Sequence, residues 1–365
     1  MKAIPLIIVL VLFSAVLFGE METSVELTSL ASLTRDGVGN AVVALLGKGN
    51  LSFSAVNNPN VKAECELEGI WSGTLISTPN DILKRLFVKI NLGDVYLTAG
   101  KTRVSFGEGF VFNAGDVIFG SMAPVADLAQ ALLRDQTDWL IDLSVPFGQF
   151  SFFEAILLPY SPLKTNTFPA SSIYDLRGGG RVVTKLGGMK VEAGYLFRAD
   201  EATHNPYISL QGNLFFDLEI SATLKIPVID YSDDKLRDGF AVTAGLSRIF
   251  TFEDSSTLIV RLETVLRPFG YWSPPTASTK STHYGLLVYP EIYYAPLDYI
   301  TFQLRAMINP IDWSGLVSFG FDFGIYQGLN LLGYVWSMWG DGSDPWFGWG
   351  RYGDTGVSLG FQFIY

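Results

Sequence analysis

The chain has 365 residues and a net charge of −11, with 48% hydrophobic and 17% charged residues, where ordinary globular domains carry roughly 25% charged. The acidic balance excludes nucleic acid as a partner, because surfaces that bind it are basic. A mean hydropathy of +0.29 points toward a membrane, and a single cysteine, Cys65, excludes an internal disulfide.

The chain opens on MKAIPLIIVLVLFSAVLFG: Lys2, an apolar run from Ile4 to about Phe18, then small and polar residues. Residues 1–20 therefore read as a secretory signal peptide, with 21–365 as one domain. No cysteine follows the run, so it offers no attachment point for a lipid. Further on, the best candidate for a membrane helix is SGLVSFGFDFGIYQGLNLLGYVWSMWG. It is broken by Asp322, Gln327, Asn330 and several glycines, and its period is two. A spanning helix needs about 20 mostly apolar residues without such breaks.

Alternation predicts strands at 23–33, 49–57, 61–71, 84–92, 94–104 and 138–146. They continue at 148–157, 177–186, 189–199, 206–213, 215–227 and 238–250. The last six are 256–267, 282–290, 298–309, 314–325, 328–338 and 354–365. In VKAECELEGIW, Val61, Ala63, Cys65, Leu67 and Gly69 alternate with Lys62, Glu64, Glu66 and Glu68. FDLEISATLKI sets Leu218, Ile220 and Ala222 against Glu219, Ser221 and Thr223. The terminal VSLGFQFIY sets Val357, Leu359, Phe361, Phe363 and Tyr365 against Ser358, Gly360 and Gln362. A strand crosses a bilayer at a tilt in about 9–11 residues, whereas a soluble sandwich turns every 8–12 residues on shorter strands. The predicted fold class is all-β: a closed antiparallel transmembrane β-barrel of about 18 strands. Segment 38–48, VGNAVVALLGK, could form another strand pair, and a count of 16 also fits.

The joins have a parity. Even-to-odd connections are tight: NNPN after 57, GD at 93–94, PFGQ at 146–149, GG at 187–188 and APLD at 295–298. Odd-to-even connections are mostly long, including 105–137, 158–176, 267–281 and 339–353. Tight turns on one rim and long loops on the other are the arrangement of outer-membrane barrels, with periplasm and exterior respectively.

Three features resemble the bacterial outer-membrane porin-like β-barrels. The terminal aromatic in VSLGFQFIY is similar to their assembly signal. The longest loop is the third, SFGEGFVFNAGDVIFGSMAPVADLAQALLRDQTD, and in bacterial porins the third loop folds into the lumen. The stretch KTRVSFGEGFVFNAGD, Lys101 to Asp116, resembles a segment of poorly characterised porin-like families, in which a basic strand end precedes an aromatic–Gly–x–Gly turn and an Asn–x–x–Asp segment. It departs from that pattern at Phe106, where Trp is commoner, and at Ala114, where Pro is expected. The resemblance implies a channel for passive diffusion of small hydrophilic solutes or ions. It implies outer-membrane lipid and the assembly machinery as partners, with a homo-oligomer as a further arrangement. Alternatives are a channel specific for sugars or organic acids, and a surface adhesin or receptor.

Candidates for lining or narrowing a pore are Lys101, Arg103, Glu108, Asp116, Arg177, Arg181, Lys190, Glu192, Arg198, Arg261, Glu263 and Arg305. Rings of acidic or basic side chains bias a pore toward one sign of ion. If the third loop folds inward, Glu108 and Asp116 would oppose Lys101 and Arg103 across a narrowed passage. The spacing of Val125, Leu128, Ala129, Leu132 and Leu133 predicts a short helix over 123–135. Trp346 and Trp349 are candidates for stacking on sugar rings, while Trp336 and Trp339 read as interfacial anchors. Two histidines, His204 and His283, are too few and too separate for a clear hydrolytic site. No zinc spacing and no phosphate-binding glycine loop occurs, so no metal, cofactor or enzymatic activity is expected.

Overall fold

A computed structural model describes residues 21–35, 40–55, 58–72, 75–76, 82–120, 136–159, 176–229, 231–274, 283–340 and 355–365. The expected signal peptide, the helix at 123–135, Trp346 and Trp349 lie outside the described residues.

The strands are β1 Met21–Arg35, β2 Ala41–Ala55, β3 Val61–Ser72, β4 Leu75–Ile76, β5 Leu83–Asn91, β6 Tyr96–Thr102 and β7 Asp138–Gly148. Then come β8 Ser151–Leu158, β9 Arg177–Leu186, β10 Met189–Arg198, β11 Thr203–Asn213, β12 Asp217–Leu224 and β13 Ile226–Pro227. The last are β14 Phe240–Thr251, β15 Thr257–Leu266, β16 Leu286–Leu297, β17 Ile300–Asn309, β18 Ser314–Tyr326, β19 Leu329–Trp339 and β20 Thr355–Ile364. The two-residue β4 and β13 only extend the ladders of β3 and β11. The remaining 18 form the barrel, each antiparallel to its neighbour. Closure comes from β1 against β20, in register from Glu26↔Ile364 to Arg35↔Thr355, and it leaves the sheet no open edge. Among the described residues a short helix, α1 Asp233–Asp238, stands between β13 and β14, its first turn capped by the Ser232 hydroxyl, which accepts from Lys235 N at 3.2 Å.

Burial is inverted relative to a water-soluble protein. Outward positions carry exposed apolar side chains, among them Leu33 of β1, Leu262 of β15, Phe302 and Leu304 of β17, and Leu359 and Phe361 of β20. Inward positions of the same strands are polar and covered: Ser32, Glu263, Arg305 and Ser358. Val43 on the outside is 73% exposed while Glu263 on the inside is 1% exposed, the reverse of what water selects. The rims keep the expected parity, from Gly187–Gly188 between β9 and β10 to the long connection between β6 and β7.

Two boundaries differ from expectation. Segment 38–48 adds no strand pair, because β2 runs unbroken through Ala41–Ala55. Its apolar alternation lapses at Gly47 and Gly49, and the cover there comes from the next strand. Trp71 pairs with Gly47 and lays its ring where a Gly47 side chain would stand, since a Cβ there would meet the ring at 1.7 Å. The strand expected at 282–290 is instead β16, Leu286–Leu297, with Pro290 inside it opposite Leu262 of β15. Proline gives the ladder no N–H, and the pairing with β17 has a gap between Val288↔Ile308 and Glu291↔Arg305, in the same register on both sides.

Candidate functional site

Residues 103–120, the described start of the long connection between β6 and β7, fold inside the barrel, and the stretch from Val111 to Ile118 is buried. Local chemistry bends the segment. Gly107 has φ +67°, and a Cβ there would meet Gly115 Cα and Asn113 Oδ1, both at 2.6 Å, so only glycine fits. The Asn113 side chain donates to Phe106 O at 2.9 Å and accepts from Gly115 N at 2.9 Å. The Asp116 carboxylate accepts from Phe119 N at 3.2 Å. The Asn–x–x–Asp run thus closes two side-chain-to-backbone turns.

With no strand beside it, the segment gives its backbone N–H groups to side chains of the wall. Gly107 N donates to Glu192 of β10 at 2.6 Å, and Glu108 N to Ser209 of β11 at 3.0 Å. Ser221 of β12 donates to Glu108 O at 3.0 Å. Ala114 N donates to Thr243 of β14 at 3.0 Å. Glu263 of β15 accepts from Phe110 N at 3.1 Å and from Val111 N and Phe112 N at 2.8 Å each. The sheet registers place Glu192 opposite Ser209, Ser209 opposite Ser221, and Ser221 opposite Thr243. The acceptors therefore form one row across the strands. Small hydroxyls follow Glu192 along that row and leave room for the loop backbone, and Glu263 stands on the next strand two positions nearer the tight turn, opposite Gly245.

Charge and aromatic contacts reinforce this docking. Arg181 of β9 donates to Glu154, to Glu192 at 3.1 Å and to Ser105 O at 2.7 Å, with its guanidinium 4.6 Å from the Phe106 ring centroid. Arg261 of β15 lies 3.6 Å from the Phe110 ring centroid and pairs with Glu291, which also accepts from Arg305 at 3.0 Å. Phe106 stacks on Tyr207, and Phe112 meets Tyr289 edge-on. Val111 and Phe112 join Val265, Leu287, Met307 and Leu316 in one buried cluster, with Trp336 packed against it. Trp336 thus serves the interior and not an interfacial anchor. Trp339 is exposed and donates to Trp313 O at 2.6 Å.

The structure brings together Arg103, Glu108, Asp116, Arg181, Lys190, Glu192, Arg261 and Glu263, with Arg305 on β17, two strands beyond β15. Glu108 and Asp116 do not stand free. Lys190 pairs with Glu108, and Arg103 reaches Asp116 at 3.5 Å. Lys101 has the parity of exposed Ala99, opposite to buried Thr98 and Thr102, and donates to Leu83 O at 2.5 Å. It therefore leaves the lumen side. Arg177 pairs with Asp138 at the outer strand ends, and Arg198 clamps the β10–β11 turn through Asp200 and Glu201 at 3.3 and 2.8 Å. Residue type alone does not reveal Ser209, Ser221 and Thr243, because inward hydroxyls are ordinary in a polar lumen. Their only signal is the shared cross-strand row, and it needs the registers.

The two histidines lie apart from this site and from each other. His204 meets the Tyr195 hydroxyl at 2.5 Å and stacks on its ring. His283 faces Asp238 at 3.5 Å beyond the strand ends, and burial together with Arg267 pushes its imidazole below the ordinary value against the pull of Asp238. On the tight-turn side of the loop lies a cavity of about 950 Å³ lined by Phe110, Lys185, Lys190, Asp217, Glu219 and Arg261, among others.

No protein-family model matches the chain, and no curated protein matches it. Among solved structures, OccAB3 of Acinetobacter baumannii is similar over 95% of this chain and 99% of its own, at 8% identity and a TM-score of 0.57. Substituted forms of the Rhodopseudomonas blastica porin match over 95% of this chain and 100% of their own, at 14% identity and TM-scores of 0.47 and 0.48. The likeness to OccAB3 is one of fold: a large closed antiparallel barrel.

Proposed function

We propose that the chain is an outer-membrane channel for passive diffusion of small hydrophilic solutes or ions. The observation that carries this reading is the inverted barrel. A belt of exposed apolar side chains around a polar interior is stable in lipid and not in water. Barrels of this strand number enclose an aqueous passage, whereas those with eight strands fill with side chains. The docked segment 103–120 occupies part of that passage and sets its width. Lys190, Arg261 and the paired carboxylates of the wall bias it toward one sign of ion. Refolded protein added to a planar bilayer is expected to give discrete conductance steps. A barrel that inserts and yields none would reject the channel.

The cavity favours a more selective version. Lys185, Lys190 and Arg261 share it with Asp217, Glu219 and the face of Phe110, a mixture suited to a solute held by both charge and an apolar face. The wider proposal includes Trp346 and Trp349 as platforms for sugar rings. Block of the ionic current by organic acids but not sugars would favour the charged cavity. Saccharide block that weakens on replacing both tryptophans would favour the platforms.

A further inference from the structure

We propose that Arg248 marks a phospholipid-phosphate site on the outside of the barrel, in the leaflet on the tight-turn side. This rests on the reading that the apolar exterior lies in lipid. Along β14, buried Thr243 and Gly245 alternate with the outward residues Val242, Ala244, Leu246, Arg248 and Phe250. Arg248 interrupts that apolar row. It pairs with exposed Val260 of β15, and Phe216 precedes Asp217, the partner of Ser247. The guanidinium carbon lies 5.7 Å from the Phe216 ring centroid and 5.0 Å from that of Phe250.

Among the described residues no carboxylate comes within ion-pair distance of this exposed guanidinium. Lys101, the other cation noted above with outward parity, takes a backbone carbonyl of its own chain at 2.5 Å. An unpaired charge against hydrocarbon is costly. Arg248 sits three residues from the end of β14, on the order of 10 Å along the strand, within reach of the headgroups. Two aromatic rings hold the guanidinium, and its fork of donors matches phosphate oxygens two at a time. Leu214, Phe215 and Phe216 of the adjacent β11–β12 turn, and Phe252 just after β14, are exposed apolar side chains on the same rim, on which acyl chains can lie. The occupant that fits is a diacyl phosphodiester.

The test is native mass spectrometry of the folded barrel in detergent with phosphatidylglycerol, with the matching diacylglycerol and with inorganic phosphate. The wild type is expected to keep phosphatidylglycerol and to lose the other two. Arg248→Met, which keeps the apolar contact and removes the charge, is expected to bind phosphatidylglycerol about tenfold more weakly, as loss of a charged hydrogen-bond pair implies. Arg248→Lys should retain part of the binding. Equal retention of diacylglycerol, equal binding of free phosphate, or unchanged binding by a folded Arg248→Met would each overturn the site. If that variant does not fold, the wild-type comparison of phospholipid with diacylglycerol decides. A wild type that stays monomeric in buffer without detergent would instead sink the membrane reading, which separates the two failures.

Discussion

The two sides of the lumen treat charge differently. On the wall from β10 to β16, Glu192 and Glu263 accept backbone N–H groups of the docked segment. On the wall from β2 to β5, carboxylates meet only side chains in the contacts described. Glu68 lies 2.9 Å from Lys48 and 3.5 Å from Lys84, while Arg85 reaches Glu66 at 3.3 Å and Glu64 at 3.5 Å. A bulge between Glu66/Arg85 and Leu67/Leu83 gives β5 one extra residue, so both Lys84 and Arg85 reach the acidic row of β3. A carboxylate that binds backbone fixes where a chain segment lies. One that binds a long cationic side chain fixes only local charge.

The largest effect should come from Glu263. Replacing it with Ala strands three N–H donors, two of them on buried residues, at about 1–3 kcal/mol each. The segment around Phe110 should leave the wall. Single-channel conductance is expected to rise and become noisy, and added protease should cut near residue 110 in a barrel still resistant to heat in detergent. Glu263→Gln, which keeps one acceptor oxygen, should fall between. Unchanged conductance and protection in a folded Glu263→Ala barrel would remove the distinction between the walls.

Gly107→Ala comes next. Positive φ costs a side-chain-bearing residue about 1–2 kcal/mol, and the new methyl would also press on Gly115 and Asn113. Partial undocking, with a smaller conductance increase than Glu263→Ala, is expected. Replacing Ser221 with Val should act in the same direction, because the loss of one hydroxyl leaves Glu108 N still facing Ser209.

The barrel was largely legible in the sequence because each spanning strand repeats the same two-sided demand. The strand count and the rim parity follow from alternation and join length, and the inward third loop from the resemblance to bacterial porins. The misreadings occurred where one strand's needs are met by another: Trp71 covers Gly47, and Pro290 sits in a strand whose other neighbour carries the ladder. Trp336 was misread for a related reason, since the inward positions near it are apolar where the loop packs, and a lumen is expected to be polar. The site was half legible. Charged residues announced themselves, but their partners did not. Glu108 and Asp116 look free in the sequence and are paired in the fold, and Ser209, Ser221 and Thr243 become a row only once three registers are known.

On the opposite wall, Glu68→Gln should sharpen the contrast by doing little to the structure. It leaves Lys48 and Lys84 without their shared carboxylate, so the salt-gradient reversal potential should move toward anions. Conductance, loop protection and the heat needed to unfold the barrel should stay near wild type. A large loss of stability would mean that these pairs hold the wall together as firmly as Glu263 holds the loop.

The smallest effect concerns the hairpin that presents Thr243 and Glu263. In its turn, Asp254 accepts from the Ser256 hydroxyl at 2.7 Å and from Ser256 N at 3.0 Å. These bonds favour the carboxylate and hold its pKa below the ordinary value. A depressed acid contributes stability above its unfolded pKa, about 3.9 for Asp, and loses it as pH falls through the lower folded value. Asp254→Ala should therefore lower the unfolding temperature slightly at pH 7, and the gap should close well below pH 4. Loop protection should be equal in the two proteins at pH 7. A gap that persists in acid would assign the effect to the shape of the turn and not to its charge. A change in loop protection would show that the wall holds the segment through the set of the hairpin as well as through Glu263.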